Sequence, residues 1–420
     1  MNSNKKIAVF IGDYFWSSIP YDGLNLYHEL KSDFNVDLLM FEKDIRLNKE
    51  FSGDEKFFFE KSYFTEAKNL KTLKDWSELF NISKDYSLLL SSTHIAPKTR
   101  YPRNFNLLQC KWGAWDIGGV DLLVNAKPDY SVRPIAPDYF FVKGEIWKQW
   151  IYQIKKKTKD SKEFAFSTGC PHYDYYLEDA PLKFGKPLDR KQFISKYQLD
   201  AGKNFILVTP SNPSATTHNE QFDQNMEALS FLNDQASKNN TEVLLKTYPH
   251  DYVFYEGREV TNPQISCCTG IDCPCHYTGV YHRRLRVEMD KKQLECTVPH
   301  YSLIKEHFPN IKIIDSQDHF SAVKYCEKIF NIAGSSISWE TYLTSSKAFS
   351  MNYSNKTYFN SLSYLPNINF PDKAMNHEIA KVEGVFDEPI VDKSRCNNFI
   401  LKEYSLKNIK DSLKYILNNV

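Results

Sequence analysis

The fold is decided by the segment Phe330-Asn331-Ile332-Ala333-Gly334-Ser335-Ser336-Ile337-Ser338-Trp339-Glu340, in which an apolar strand runs into a Gly-Ser-Ser turn and a helix. Free backbone N–H groups at a helix start, together with two serine hydroxyls, form an anion site that suits a diphosphate. Glu340 lies one turn into the helix, where its carboxylate can accept hydrogen bonds from sugar hydroxyls. The other interpretation is an ordinary helix with a Ser N-cap and Glu340 in a capping box.

A second segment, residues 243–250 (VLLKTYPH), favours the functional interpretation. It reads as a buried strand that ends in Lys246, with His250 four residues later. A cation and an imidazole at a strand end can neutralise the charge that develops on a departing diphosphate. The alternatives are a solvated strand end for Lys246 and a structural role for His250.

Length and composition restrict the class of protein. The 420 residues are enough for two domains with separate cores. Hydrophobic residues make up 42% and charged residues 25%, which is typical of a soluble globular enzyme. The formal net charge of +1 excludes a global field that recruits nucleic acid or an anionic membrane, so any such contact needs a local patch.

The sequence also predicts a compartment. The first apolar run, residues 7–11, is too short for a signal peptide, and no segment approaches the length of a transmembrane helix. We therefore expect a cytoplasmic protein, in which the nine cysteines are mainly thiols.

Apolar runs alternate with helical patterns along the chain, as in parallel sheets covered by helices. The first half has predicted strands at residues 7–11, 36–41, 87–91, 121–125, 139–142 and 164–167, with a helix at 22–31. After a polar linker that includes the charged run Asp189-Arg190-Lys191, the second half has predicted strands at 204–209, 242–246, 311–314, 328–333 and 347–351. Its predicted helices cover residues 221–239, 321–327 and 405–419. The last of these is predicted from apolar residues at helical spacing.

These patterns predict an α/β fold with two doubly wound domains. We place an N-terminal domain at residues 1–190 and a second domain at 191–404, with a Cys-rich insertion near 255–309. Residues 405–420 form a final helix, for which we consider packing back on the N-terminal domain. Two such domains facing each other leave a central cleft at the carboxyl ends of their strands.

The order of motifs resembles the carboxyl-terminal half of GT-B glycosyltransferases. It contains a Pro-Ser turn at 210–211, the Lys-x-x-Pro-His segment at 246–250, and Gly-Ser-Ser-x-x-x-Glu at 334–340. Residues 166–174 (FSTGCPHYD) are similar to the Thr-Gly-x-Pro-x-x-Asp turn that closes the amino-terminal domain in those proteins. The resemblance covers roughly residues 136–355. It extends to capsule and surface-polysaccharide transferases, with glycerophosphotransferases and sugar-nucleotide epimerases as neighbours.

The resemblance implies two Rossmann-like domains and a UDP-linked or CMP/CDP-linked sugar as donor. The family usually has His-Pro where this chain has Pro249-His250, and residues 251–309 exceed its usual connection. Glu340 is implied to bind the ribose. The other implied donor-binding residues are Ser211, Lys246, His250, Gly334, Ser335 and Ser336.

An acceptor site is expected in the first half, because the loop after its first strand, residues 12–18 (GDYFWSS), faces the acceptor in this architecture. Tyr14 and Trp16 offer stacking surfaces there, and Trp115 lies in the Trp- and Gly-rich segment 111–119. That segment is alternatively a tight, well-packed loop. The transfer needs a carboxylate or imidazole that takes the acceptor proton. The candidates for that catalytic residue are Asp13, His94 and Asp116, whereas Asp22 is also a natural helix N-cap.

A cysteine cluster at Cys267, Cys268, Cys273 and Cys275 supplies enough soft ligands for a structural zinc. Its spacing matches no standard zinc motif, so free thiols and a disulfide stay open. By the resemblance, transfer itself requires no metal or other cofactor. The neighbouring basic segment 282–286 (HRRLR) is either a phosphate-binding patch or a solvated helix face.

Three functions remain open at this point. The first is a glycosyltransferase that acts on a surface glycan or its lipid-linked precursor. The second has the same chemistry with a hydroxymethylated DNA base as acceptor, as in some bacteriophage enzymes; the basic segment favours it and the neutral net charge opposes it. The third is a sugar-nucleotide epimerase or a non-catalytic binding protein on the same scaffold.

Overall fold

Seven parallel strands form the first sheet of the protein, in the order β3-β2-β1-β4-β5-β6-β7. The computed structural model of the chain describes residues 5–11, 19–41, 69–92, 107–115, 137–154, 163–209, 218–246, 307–314, 318–332, 337–351, 401 and 403–419. The strands are β1 (Lys6–Phe10), β2 (Asn35–Phe41), β3 (Leu70–Leu73), β4 (Leu88–Ser92), β5 (Lys111–Trp115), β6 (Tyr139–Val142) and β7 (Ala165–Ser167).

Helices cover both faces of this sheet, as expected for parallel strands that are apolar on both sides. They are α1 (Ile19–Leu30), α2 (Trp76–Ser83) and α3 (Glu145–Ile154). On one face, Leu79 of α2 packs in a core with Phe10 and Trp112. On the other face, α1 lies so close that a Cβ at Gly23 would come 2.6 Å from Ile11 and 3.7 Å from Trp115. Glycine therefore permits the approach of α1 to the sheet.

Five parallel strands form the second sheet, in the order β10-β9-β8-β11-β12. The strands are β8 (Asn204–Thr209), β9 (Thr241–Lys246), β10 (Lys312–Ile314), β11 (Lys328–Ile332) and β12 (Lys347–Met351). The accompanying helices are α4 (Arg190–Tyr197), α5 (His218–Lys238), α6 (His319–Tyr325) and α7 (Ile337–Glu340). Leu229 and Leu232 of α5 pack in a buried core with Val208, Leu245 and Phe330 of the central strands.

The chain divides into two units. One comprises Met1–Lys186 together with Cys396–Val420, and the other comprises Pro187–Arg395. The last helix, α8 (Ser405–Asn419), contacts α1 and the 3₁₀ helix Pro171–Tyr176 of the first unit. Its buried face consists of the apolar residues Leu406, Ile409, Leu413, Ile416 and Leu417.

Asp174 attaches the last helix to the first unit. Its carboxylate accepts hydrogen bonds from the Ser405 backbone N–H at 2.9 Å, the Ser405 hydroxyl at 2.9 Å and the Leu406 N–H at 3.3 Å. Those backbone N–H groups belong to the first turn of α8 and have no partner within the helix. Burial raises the pKa of Asp174 to about 8, although the hydrogen bonds from Ser405 and Leu406 oppose that rise. The Thr-Gly-x-Pro-x-x-Asp turn therefore caps a helix from far along the chain.

We expect Asp174→Ala to destabilise the protein by about 2–4 kcal/mol, because a buried cap with three hydrogen bonds is lost. Urea denaturation followed by circular dichroism measures the change. Asp189→Ala is the matched control, since Asp189 caps α4 from an exposed position through Gln192. Its expected cost is about 1 kcal/mol. Equal losses in the two variants would show that the Asp174 contacts do not anchor α8.

The predicted fold class is confirmed, since both sheets are parallel and each is doubly wound. Predicted strands 139–142, 204–209 and 347–351 and the predicted helix 405–419 have the bounds found in the structure. The predicted strand 121–125 lies outside the described residues. Strand β3 and helices α2 and α3 were not predicted.

Three local predictions were wrong. Residues 111–115 form the buried strand β5 rather than a loop, because Gly113 leaves room for Leu90 and Phe141. The charged run at 189–191 begins helix α4 instead of a linker, because Asp189 and Gln192 form a capping box. Helix α1 begins at Ile19, so Asp22 lies in its first turn and is not the N-cap.

Candidate functional site

The carboxyl ends of β8 and β11 lie side by side where the strand order of the second sheet reverses. Open parallel sheets bind ligands at this position. The Thr209 hydroxyl donates a buried hydrogen bond to the Asn331 side-chain oxygen and joins the two strand ends. Ser211 follows β8 by two residues, and the Gly334-Ser335-Ser336 turn follows β11 by two. Those four residues lie outside the described residues.

Lys246 ends β9, the strand next to β8. Its side chain is partly buried, and burial lowers the pKa of its ammonium group, whereas the Glu340 carboxylate raises it. The net shift is downward. A lysine placed in this way interacts strongly with an anion, because the surrounding protein replaces water.

Glu340 lies at the end of the four-residue helix α7, which continues as the 3₁₀ helix Thr341–Leu343. Its carboxylate is buried, and Oε2 lies 3.5 Å from Nε2 of His319. We call Lys246, His319 and Glu340 the Glu340 cluster. The cluster combines a cation, an imidazole and a carboxylate within the second unit.

His319 was missed by the sequence analysis. It opens helix α6, whose preceding residue Asp318 accepts a hydrogen bond from Lys196 Nζ at 2.6 Å and another from the Tyr197 hydroxyl. Helix α4, which supplies Lys196 and Tyr197, thereby fixes the start of α6. A Ser-x-Asp-His sequence shortly after the strand at 312–314 was the available signal.

The first sheet has its own point of reversal between β1 and β4. Asp13, Tyr14 and Trp16 follow β1, His94 follows β4 by two residues, and Asp116 directly follows β5. All five lie outside the described residues. The three catalytic candidates follow these strands in the sequence, and their roles stay predictions.

Trp115, the predicted acceptor-binding tryptophan, is the last residue of β5 and is only 1% exposed. Its ring packs beside Gly23 of α1. The ring is therefore part of the core and offers no exposed stacking surface. Its indole Nε1 has no hydrogen-bond partner among the described residues. If Trp115 contacts the acceptor substrate, it therefore does so by donating a hydrogen bond from this N–H.

Asp22 is a buried carboxyl group in the first turn of α1. Its Oδ2 lies 3.9 Å from Nδ1 of His172. Burial raises the pKa of Asp22 to about 7, against the opposing effects of His172 and the Tyr175 hydroxyl. A carboxyl group with this pKa exchanges a proton near neutral pH.

Comparison with known proteins identifies the fold. No protein family and no curated protein matches the sequence. Among solved structures, the chain is similar to the UDP-GlcNAc 2-epimerase from Methanocaldococcus jannaschii, with 11% identity, a TM-score of 0.56, and coverage of 98% of this chain and 99% of that one. It is also similar to Staphylococcus aureus MnaA, solved with UDP, with 13% identity and a TM-score of 0.53. The match covers 99% of this chain and 98% of that one.

A third similar structure is the UDP-GlcNAc 2-epimerase from Neisseria meningitidis bound to UDP-GlcNAc, at 12% identity and a TM-score of 0.52 over 99% and 100% of the two chains. The chain has the GT-B fold. The expectation of two Rossmann-like domains of GT-B type is thereby confirmed.

Several predicted features of this GT-B chain lie outside the described residues. They are His250, the basic segment 282–286, and the candidate zinc ligands Cys267, Cys268, Cys273 and Cys275. In the described part of the chain, Cys110, Cys170 and Cys326 form no disulfide. No described helix is both long enough and apolar enough to span a bilayer.

Proposed function

We propose that this protein is a glycosyltransferase that moves a sugar from a nucleotide-sugar donor to a hydroxyl acceptor on a surface glycan or its precursor. One observation carries the proposal. The Glu340 cluster belongs to the sheet whose strand order reverses between β8 and β11, and in the sequence each of these two strands is followed by a segment that contains two serines. A GT-B sheet binds its nucleotide at that edge.

The donor side uses the groups of the second unit. Lys246 neutralises the diphosphate, supported by N–H groups and hydroxyls of the segments that contain Ser211, Ser335 and Ser336. Glu340 accepts hydrogen bonds from the ribose hydroxyls, and His319, whose Nε2 lies 3.5 Å from Oε2 of Glu340, helps to position the carboxylate. His250 is a further donor to the diphosphate. UDP or a cytidine nucleotide satisfies these contacts.

The acceptor side uses the carboxyl edge of the first sheet. A base chosen from Asp13, His94 and Asp116 takes the proton of the acceptor hydroxyl. The hydroxyl oxygen then bonds to the anomeric carbon, while the bond from that carbon to the diphosphate oxygen breaks and the diphosphate leaves with the electron pair. Tyr14 and Trp16 stack on the acceptor. In this scheme no metal takes part in transfer, and a zinc in the cysteine segment is structural.

A second candidate is a sugar-nucleotide epimerase. The observation that favours it is the similarity to the epimerases from M. jannaschii and N. meningitidis over nearly the full length of the chain. The Glu340 cluster serves the nucleotide in the same way in this case. Transfer to a DNA base is a weaker alternative, because the net charge of +1 supplies no general attraction to DNA.

Incubation of the purified protein with UDP-GlcNAc, UDP-glucose and CDP- and CMP-linked sugars, followed by chromatography of the nucleotides, tests the proposal. We expect slow release of the free nucleotide from one donor, because water replaces the absent acceptor. An isomeric nucleotide sugar without nucleotide release selects the epimerase. Stimulation by hydroxymethylated DNA selects the DNA acceptor. Unchanged nucleotide sugars in every reaction would contradict all three.

A further inference from the structure

The chain crosses between its two units twice, between Lys186 and Pro187 and between Arg395 and Cys396. The second crossing lies outside the described residues. The first crossing is described, and it shows where the backbone of the connection is held and where it is not. When two domains move relative to each other, a few connecting residues absorb the change in φ and ψ.

Asn25 of α1 holds the end of the connection that belongs to the first unit. Its side-chain oxygen accepts hydrogen bonds from the Lys183 and Phe184 N–H groups, each at 3.0 Å. Its amide nitrogen donates to the Phe184 carbonyl oxygen at 3.1 Å and to the Tyr175 hydroxyl at 3.3 Å. Asn25 is only 4% exposed, so these bonds are shielded from water. Because Asn25 binds both the N–H and the carbonyl of Phe184, this residue cannot rotate without breaking them.

Leu188 is the first residue of the connection that the second unit holds. Its carbonyl oxygen accepts a hydrogen bond from the hydroxyl of Ser321, a buried residue of α6, at 3.1 Å. The next residue, Asp189, forms a capping box with Gln192 at the start of α4. The backbone is therefore tied to α4 and α6 from Leu188 onward.

Three residues, Gly185, Lys186 and Pro187, lie between these two anchors. They make no hydrogen bond to another described residue, and Lys186 is exposed. Gly185 has a φ of +68°, which glycine adopts without strain, and a Cβ there would come 2.9 Å from the Tyr21 ring of α1. The ring of Pro187 fixes its own φ and restricts Lys186 to extended conformations. Rotation is therefore concentrated near Gly185.

We propose that Gly185-Lys186-Pro187 is a pivot on which the second unit turns relative to the first. Asn25 and Ser321 are the side chains that keep this pivot short. The inference goes beyond the proposed function and does not depend on it, since it concerns the connection and not the reaction. A short pivot limits the directions of turning, so loss of either anchor should lengthen the free segment and widen the range of motion.

Hydrogen exchange of the full chain, followed by mass spectrometry of peptides that contain residues 183–189, tests the first anchor. Asn25→Ala should speed exchange of the Lys183 and Phe184 amides by about tenfold or more, because both lose their acceptor. Asn69→Ala is the matched control, since the Asn69 side chain donates to the Val36 carbonyl elsewhere in the first unit. It should leave these amides unchanged. Wild-type exchange rates in Asn25→Ala would show that Asn25 does not hold the connection.

Single-molecule energy transfer between dyes on Ser77 of α2 and Asp234 of α5 tests the pivot itself. The two residues are exposed and belong to different units. We expect the distribution of transfer efficiencies to broaden in Asn25→Ala and in Ser321→Ala. Ser83→Ala is the control for the second variant, because the Ser83 hydroxyl is also buried but accepts from the Gln109 N–H, away from the connection. Its distribution should match that of the wild type.

Insertion of two glycines between Lys186 and Pro187 lengthens the pivot and keeps both anchors, so it tests the inference without removing a buried side chain. We expect it to broaden the distribution further. One narrow distribution, unchanged by the insertion and by both anchor substitutions, would overturn the pivot. These measurements use the protein without a nucleotide, so they remain decisive if the proposed function fails.

Discussion

Glu340→Gln is expected to weaken binding of the donor nucleotide by about 100-fold, because hydrogen bonds from two ribose hydroxyls to a buried carboxylate are replaced by bonds to a neutral amide. Glutamine keeps the size of the side chain, so the effect reports charge and acceptor capacity. Titration calorimetry with UDP, or with the nucleotide sugar that is converted, measures the dissociation constant.

The variant also changes the stability of the second unit. Without the Glu340 carboxylate, Lys246 loses the group that favours its charged form, so the pKa of Lys246 falls further. We expect a loss of stability of roughly 3 kcal/mol, as for other buried pairs that lose one partner. Binding is therefore measured well below the unfolding temperature, with circular dichroism as a check that the protein is folded.

Glu327→Gln is the matched control, because Glu327 is an exposed glutamate just before β11 in the same unit. It should leave both affinity and stability unchanged. Lys246→Met in the Glu340→Gln background adds a second test. Because the Glu340 carboxylate acts directly on Lys246, the effects of the two substitutions on affinity should not add. Wild-type affinity in Glu340→Gln would remove Glu340 from the site.

Asp22→Asn is expected to stabilise the protein above neutral pH, by up to about 4 kcal/mol for a pKa raised by roughly three units. In the folded state, burial raises the pKa of Asp22 from 3.8 to about 7. The groups that face this carboxyl are His172, Tyr175 and the more distant Asp174. Asparagine keeps the shape of the side chain and cannot ionise.

The direction of the pH dependence follows from the two pKa values. Below pH 3.8 the carboxyl group is protonated in both states, so the wild type and Asp22→Asn should have similar stability. As the pH rises toward 7, the unfolded chain loses the proton first, and the wild-type protein loses stability that the variant retains. Above pH 7 the difference should stay constant.

Urea denaturation of the two proteins between pH 4 and pH 9 measures this difference. Asp411→Asn is the control, because its effect on stability should have the opposite sign. Lys407 and Lys414 lower the pKa of the exposed Asp411, whereas burial raises the pKa of Asp22. It should show a small loss of stability above pH 4. If the difference between wild type and Asp22→Asn does not change with pH, Asp22 does not have a raised pKa.

Most strands of this fold could be predicted because each is a short apolar run. Phe205–Val208 and Ile329–Ile332 are buried on both faces, and parallel strands of this kind need no alternating pattern. Strand β5 escaped prediction, since Lys111 and Gly113 interrupt its apolar character and Gly113 is explained only by the side chains of neighbouring strands. Such a cause is visible only in three dimensions.

The candidate site, like the fold, could be predicted from the sequence only in part. The position of Lys246 as the last residue of a buried strand could be predicted, because its apolar run is visible in the sequence. The pairing of His319 with Glu340, or of Asp22 with His172, joins residues far apart in the chain. Only the packing of α6 and α7, and of α1 and the 3₁₀ helix Pro171–Tyr176, brings them together.

A crystal structure of the protein soaked with UDP tests the central claim most directly. The account predicts the diphosphate at the segments that follow β8 and β11, with the ribose hydroxyls within hydrogen-bond distance of the Glu340 carboxylate. A nucleotide bound elsewhere, or none bound at a concentration that saturates nucleotide-sugar enzymes, would contradict it.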